Sequence, residues 1–421
     1  MPGESPLNMT RQPGRRLRQR AVSEQRRRIR RHFWPASVAV AALALGWVWL
    51  WYRAAGIVDH TLAGWVEREA AAGRSYACGA QSIGGFPFRI EVRCSRAVAR
   101  MSRERPPVSV KAKAVTITTR LYRPTQLIGD IAAPLTVAES GRPASLIVDW
   151  ARARLTLHGL PRDAGGASVS LDRPRLDRID PGAHGPGGAM IFVADHADVE
   201  GRLIDGSPRR KPVIEAVVHL AGARAPTLHP LAALPAEVDI DAVLHGFRDL
   251  AAKSWAERFR EMQAAGGNVE IKHLRIAQAG AIVVGTGALN LDAQGRLDGL
   301  LRVAIVGIDN IMPRLGIDRL IGRGVDRLIG GGSGAGGAGG GGGGADSGGP
   351  PGQAFGTLDR LLPGLGGFVR ESANASLIDN LRKMGRPTEV DGKPAILLPL
   401  RFADGAIYLG VLPLGEVPPL F

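Results

Sequence analysis

From Phe33 to Tyr52 the chain runs for 20 residues, FWPASVAVAALALGWVWLWY, without a charge. A helix rises about 1.5 Å per residue, so this run matches the roughly 30 Å of a hydrocarbon core. Trp34 lies at one end, and Trp47, Trp49, Trp51 and Tyr52 crowd the other, where amphipathic rings favour a membrane interface. Pro35 falls in the first turn, where a missing N–H costs least. Ile57 to Ala72 continues at helical spacing through Leu62, Trp65, Val66 and Glu69, and Gly73 can end it.

The period then falls toward two. Tyr76–Ile83 and Phe88–Cys94 flank a turn at Gly84-Gly85-Phe86-Pro87, and Val108–Thr118 alternates with Lys111 and Lys113 on one side. Ser145–Leu157, Ala167–Leu171, Ala189–Val199 and Val213–Ala221 continue the series, separated by clusters such as Asp180-Pro181-Gly182 and Asp205-Gly206-Ser207-Pro208. Val243, Leu244, Phe247, Leu250, Ala251, Ser254, Trp255, Phe259 and Met262 form a stripe at helical spacing, which predicts one helix with Asp241 as N-cap and Gly266 just past its end, its stripe read as core packed on a sheet with a partner-binding face as the alternative. Strands resume at Asn268. Gly287–Asp292 and Arg296–Val306 make a hairpin, and Ile311–Ile329 has an amphipathic helical pattern. Residues 330–352 are nearly all Gly, Ser, Ala and Pro, the composition of a flexible linker. Phe355–Met384 predicts one or two helices. Ala395–Phe402 pairs naturally with Ala406–Pro413 across Ala403-Asp404-Gly405, and the apolar end Pro418–Phe421 is expected to complete the sheet.

Charge adds a direction. The chain carries +15, and ten Arg against two Glu place +8 of it in residues 1–32. After the span the charges are mixed, beginning with Arg53, Asp59, Glu67, Arg68 and Glu69. Positive charge stays on the cytoplasmic side, so the N-terminus is expected inside and the body outside. The long basic segment and the bulky aromatic end of the apolar run argue against a cleaved signal peptide. Arg30-Arg31-His32-Phe33 has the form of part of a twin-arginine signal, but ten Arg in one tail make adjacent pairs commonplace. The tail itself reads as disordered and suited to anionic headgroups. Because 47 of the 54 basic residues are Arg, with no Lys/Arg block interleaved with aromatics in the body, the pI gives no case for nucleic acid.

The two cysteines, Cys78 and Cys94, flank the first hairpin turn. A hairpin centred near Phe86 sets them opposite each other, and on an oxidising side they are expected to form a disulfide; two free buried thiols are the alternative. Their spacing fits neither a redox C-x-x-C nor a metal pair.

Catalytic chemistry is not legible. The nine His are scattered, with His184 and His196 apart, and Asp195-His196-Ala197-Asp198 is the one local His/Asp cluster, read as a solvated strand end with a metal site as the alternative. Glu237, Asp239 and Asp241 alternate with Val238 and Ile240, which places three carboxylates on one strand face, read as water-facing; paired-acid hydrolysis or calcium binding, the alternatives, would need further ligands that the sequence does not supply. Gly285-Thr-Gly-Ala-Leu-Asn290 is an incomplete dinucleotide fingerprint between strands, where that chemistry needs a helix. Asn374-Ala375-Ser376 fits a short glycosylation sequon. No catalytic residue, cofactor or metal ligand set is assigned.

Four landmarks together resemble an uncharacterised family, domain-of-unknown-function family number 2125, of membrane-anchored periplasmic proteins. They are the N-terminal span; Gly85-Phe86-Pro87-Phe88-Arg89 with nearby Cys94; Gly287-Ala-Leu-Asn-Leu-Asp-Ala-Gln-Gly-Arg-Leu-Asp-Gly299; and Leu400-Arg-Phe-Ala-Asp-Gly-Ala-Ile-Tyr-Leu-Gly-Val-Leu-Pro-Leu-Gly415. The family implies no activity and no site residues. More loosely, an anchor followed by G-x-L-x-L-D-x-x-G hairpins is similar to AsmA-like envelope proteins, whose open sheets are associated with lipids.

The expectation is therefore a β-rich α+β protein, with a transmembrane helix followed by an extended, curved antiparallel sheet of meandering hairpins with packed helices. Its parts are a basic cytoplasmic tail (1–32), the transmembrane helix (33–52), a periplasmic domain (53–329), the Gly-rich insertion (330–352), and helices with a C-terminal hairpin completing the same domain (353–421). The expected location is the inner membrane, single-pass. The leading reading of function is a non-enzymatic envelope protein that binds an apolar ligand, such as lipid, on the sheet. The alternatives are a scaffold or assembly partner of another envelope protein, and a hydrolase with an unrecognised site.

Overall fold

The computed structural model describes residues 14–159, 165–179, 188–228, 231–311, 383, 385–410 and 412–421, with side chains from Trp34 onward except at 311, 412 and 413. The predicted linker at 330–352, the helical patterns at 312–329 and 355–382, the turn at Asp180-Pro181-Gly182, His184 and the sequon at Asn374 lie outside the described residues.

One helix, α1 (Gly14–Ala71), contains the whole apolar run. Its start corrects the reading of the basic tail as disordered from Gly14 on. Arg, Gln, Leu and Ala are good helix formers, and a helix already nucleated by the apolar run extends into them at little cost. Trp34–Ala71 is the one stretch among the described residues long and apolar enough to cross a membrane, and only 6% of its most apolar window is buried. A core helix of a soluble protein would be covered.

After the Gly73 turn the chain forms β1 (Arg74–Ala77), β2 (Ala80–Gly84), β3 (Arg89–Met101), β4 (Val108–Arg120) and β5 (Arg123–Glu139). There follow β6 (Ala144–Asp149), β7 (Arg152–His158), β8 (Gly166–Asp172), β9 (Arg175–Arg178) and β10 (Ala189–Val193). The long strands β11 (His196–Ser207), β12 (Arg210–Ala223) and β13 (Ala236–Leu244) precede α2 (Trp255–Ala264). The chain continues with β14 (Asn268–Gln278), β15 (Ala281–Leu291), β16 (Leu297–Val306), α3 (Ile308–Ile311), β17 (Arg386–Val390), β18 (Lys393–Ala403), β19 (Ala406–Leu409) and β20 (Leu412–Glu416). All strands join one antiparallel sheet. Its spine runs β3–β4–β5–β7–β8–β11–β12–β13–β14–β15–β16–β18, and a side branch β6–β9–β10 leaves the second half of β5.

The predicted helix over Val243–Met262 is corrected. Residues 236–244 are strand β13, so Asp241 is a strand residue and no cap. The helix begins only at Trp255, with Ser254 as N-cap and Glu257 closing a capping box, while Gly266 does follow its C-cap. The alternation Glu237–Asp241 extends through Ala242 and Leu244, and full pairing to both β12 and β14 satisfies a backbone that a helix would have withdrawn from the sheet. Trp255 is 77% exposed, so the stripe is not wholly core. Four other expected strands are divided: Tyr76–Ile83 at Cys78-Gly79, Ser145–Leu157 at Trp150-Ala151, Ala189–Val199 at Ala194-Asp195, and Ala406–Pro413 at Gly410.

The spine twists. Seven strand steps separate β3 from β13, and at about 20–25° per step the sheet turns through roughly half a revolution. The sheet also curls back on itself, since the loop after β13 meets the start of β1, where Arg74 Nη1 donates to the Ala252 carbonyl (3.0 Å), across 178 residues of sequence. The packed core lies toward the C-terminal end, where Leu301, Val303, Ile305, Ile308, Leu398 and Leu409 bury one another. β16 pairs along its length with β18, so the residues between them begin and end at adjacent strands.

Candidate functional site

In an antiparallel sheet, residues directly opposite each other share a face. Following register from strand to strand therefore shows what each face carries. Val92 opposes Ile117, which opposes Gly129, then Leu155, Val169 and Val199. Val199 opposes Val218, and the row continues through Ile240, Leu274, Gly285, Val303 and Leu398. Every residue in this row of twelve strands is apolar. At about 4.8 Å per strand the row is on the order of 50 Å long.

One residue over, on the opposite face, the character inverts. Ser170, Asp198, His219, Asp239 and Arg275 oppose one another in sequence across β8, β11, β12, β13 and β14. The Asp195–Asp198 segment and the alternating carboxylates of the sequence meet here. His196 bridges Asp172 (Nδ1, 2.9 Å) and Asp198 (Nε2, 2.7 Å), and His219 reaches Asp239 (2.6 Å). The hydrogen bond to Asp198 raises the His196 pKa above its usual value, with Asp172 adding to it. Burial would raise the Asp198 pKa, but hydrogen bonds from Ser170 and His196 outweigh it and leave the carboxyl low. Glu237 accepts from the Gly222 N–H (3.1 Å). Among the described residues, no group of three or more His, Cys, Asp or Glu has the arrangement to hold a metal ion.

The two ends of the apolar row are covered differently. At the C-terminal end it is sealed by the packed core. At the α1 end it opens into a groove of about 730 Å³ between α1 and strands β3–β5. Leu62, Trp65 and Val66 form the helix wall, and Cys94, Val115, Ile131 and Leu135 are among the sheet wall. Tyr76 closes one side, its ring 4.8 Å from Trp65, and burial raises its phenol pKa. The polar lining is sparse; Gln81 donates to Asp59 at the rim (3.3 Å).

The groove has a geometric cause. α1 is tied to β3 at both ends: Trp51 Nε1 donates to the Arg89 carbonyl (2.9 Å), and the Ser102 N–H donates to the Gly73 carbonyl (2.9 Å). Between these ties β3 has a contour of about 40 Å. The helix covers only about 31 Å. The strand must bow away. The bend falls on a line where Arg96 takes a positive φ of 48° and the register of β4 against β5 shifts between Ala112 and Ala114. A bulge there bends the sheet and changes which positions face inward. Val92 and Cys94 face the groove before the line, Ala97 and Ala99 after it, so the apolar lining survives the change.

Cys78 and Cys94 are disulfide-bonded, with Cα atoms 5.3 Å apart. The expected pairing is present, but its setting differs. Gln81, not Cys78, opposes Cys94 across β2 and β3, and Cys78 lies in the turn between β1 and β2. The bond pins that edge turn onto the sheet wall of the groove.

The sequence landmarks are structural in this frame. A Cβ on Gly287 would meet the Leu300 carbonyl at 2.2 Å and one on Gly299 the Ala288 carbonyl at 2.3 Å, so the two strands approach too closely for any side chain. Asp404 and Gly405, with φ of 54° and 77°, make the tight turn joining β18 to β19. Phe86 and Phe88 pack on Trp51 and Trp47 of α1. The apolar row itself was not visible from sequence; its signal is distributed one residue per strand.

Neither a curated protein nor a solved structure matches the chain. A family model described as "Uncharacterized protein conserved in bacteria (DUF2125)" matches residues 51–418, nearly the whole chain beyond the apolar run, and supports the first resemblance while saying nothing of the AsmA-like one. The chain belongs to that family.

Proposed function

We propose that this protein is a membrane-anchored envelope protein that binds an apolar ligand of the lipid class along the inner face of its sheet. The observation that carries the reading is the unbroken apolar row across twelve strands, only partly covered in its middle and open to a groove at the α1 end. Val199, on the row, is 43% exposed, and Ile117 is 37% exposed. A soluble protein with nothing to bind gains nothing by leaving such a track uncovered. A groove of this size, apolar with few polar groups, suits a hydrocarbon ligand.

The location follows from the same features. α1 fits a single-pass anchor, the Arg-rich segment before Phe33 favours a cytoplasmic N-terminus, and the Cys78–Cys94 bond suits an oxidising compartment such as the periplasm. No enzymatic step is assigned to the His196 and Asp239 ladder, which is accounted for by cross-strand charge pairing.

The test is lipid analysis of the full chain purified in mild detergent. A lipid retained in defined ratio supports the reading. Its absence, together with no uptake of a fluorescent phospholipid, refutes it.

A further inference from the structure

The tip of the β2–β3 hairpin sits at an unexpected depth along α1. Trp47 Nε1 donates to the Pro87 carbonyl (2.8 Å), and the Trp47 and Phe88 rings are 6.1 Å apart. Trp47 lies five residues inside the end of the apolar run at Tyr52. At 1.5 Å per residue that is about 7.5 Å into the span. If the run occupies the hydrocarbon core, Phe88 is carried below the boundary with it.

The tip is built for that position. Four of the five carbonyls of residues 85–89 are satisfied from within: Gly85 by the Arg89 N–H (3.2 Å), Pro87 by Trp47, Phe88 by the Leu121 N–H (3.0 Å), and Arg89 by Trp51. Each such pairing lowers the cost of carrying backbone into a nonpolar layer. The side chains at the tip are bare and aromatic. Phe86 is 50% exposed, Phe88 62%, and Tyr122 in the adjoining β4–β5 turn 65%. Directly behind them Arg89, Arg120 and Arg123 stand opposite one another across three strands. Arg89 has Glu91 at 3.5 Å, and neither Arg120 nor Arg123 has an ion-pair partner among the described residues. Like charges opposed across strands are unfavourable in water. Lipid phosphates would relieve them.

We propose that the β2–β3 and β4–β5 tips are a second membrane contact. They dip into the leaflet on the body's side of the bilayer, with Phe86, Phe88 and Tyr122 in the acyl boundary and Arg120 and Arg123 on phospholipid headgroups. The groove beside α1, whose helix wall begins at Asp59, then stands about 10 Å above the end of the apolar run at Tyr52. The immersion of the tips does not rest on the lipid reading above.

The experiment uses the full chain with its disulfide intact in nanodiscs of mixed zwitterionic and anionic phospholipid. Tyr122→Cys supplies a single free thiol at a position without a ring contact to α1, and Leu228→Cys, at a site 78% exposed, is the aqueous control. The thiol of the Tyr122→Cys variant is expected to react with a membrane-impermeant maleimide at least tenfold more slowly than that of the control. A fluorophore attached at position 122 is expected to be quenched by shallow nitroxide lipids, and adding Arg120→Glu with Arg123→Glu should weaken that quenching in anionic discs. Equal labelling rates with no quenching overturn the proposal, whether or not lipid co-purifies. Quenching with neither co-purifying lipid nor uptake of a fluorescent phospholipid sustains the contact and removes the lipid reading alone.

Discussion

Val199 and Val217 offer a matched comparison. Both are 43% exposed valines on neighbouring strands, but Val199 lies on the apolar row and Val217 on the opposite face, between Glu200 and Asp241. Fully burying a valine is worth about 1.5–3 kcal/mol, so covering the exposed part of Val199 is worth about 0.6–1.3 kcal/mol to a ligand. An asparagine in its place forfeits that and adds about 1–3 kcal/mol for an amide buried without a partner. Val199→Asn should therefore weaken phospholipid binding by about 1.6–4 kcal/mol, at least tenfold. Val217→Asn should leave binding unchanged. Both variants should fold, since each site is already half in water and strand propensities span only about 1 kcal/mol. The assay is titration of detergent-solubilised full chain with a fluorescent phospholipid, with melting followed in parallel. Equal binding by the two variants would refute the assignment of the row as the ligand track.

Four further outcomes follow from the geometry. Replacing Cys78 and Cys94 by Ser opens a 16-residue loop and should cost about 3 kcal/mol in thermal unfolding, with new proteolysis near the β1–β2 turn. Because His196 has a raised folded pKa, its contribution is complete below its unfolded value of about 6.5 and is lost as pH rises through the folded value; the melting temperature should fall over that range in the parent more than in His196→Gln. Glu261, 9% exposed, holds Lys253 (2.6 Å) and the Arg248 N–H, so Glu261→Leu strands that N–H, leaves Lys253 with Asp249 alone and should cost about 1–3 kcal/mol, read as faster hydrogen exchange across residues 245–265. Gly287→Ala must push against the Leu300 carbonyl and should lower the folded yield, whereas Gly392→Ala, with open space around its Cβ, should cost only the strain of its positive φ.

The apolar run, the alternating strands and the C-terminal hairpin were legible because each is a local pattern. The β13 error shows the limit of that. Val243 and Leu244 satisfy helical spacing and strand burial at once, and only pairing to β12 and β14 decides between them. The apolar row could not be read at all, since a single strand shows only that one face is apolar, and the inward parity changes near Arg96 and Lys113. Likewise the Trp47 and Trp51 side chains look like interface anchors in sequence, while their hydrogen bonds to Pro87 and Arg89 span 40 and 38 residues. Those two bonds set the depth of the hairpin tip and, with the tie at Gly73, the bow that makes the groove.

The most direct measurement is photocrosslinking of the full chain in its own membrane. A photoreactive residue is placed in turn at Val115 in the groove and at Val169 and Val199 on the row, and at Thr116, Ser168 and Asp198 on the opposite face. The account requires lipid adducts at the first three positions and none at the last three. Equal adducts on both faces, or none on the row, would contradict it.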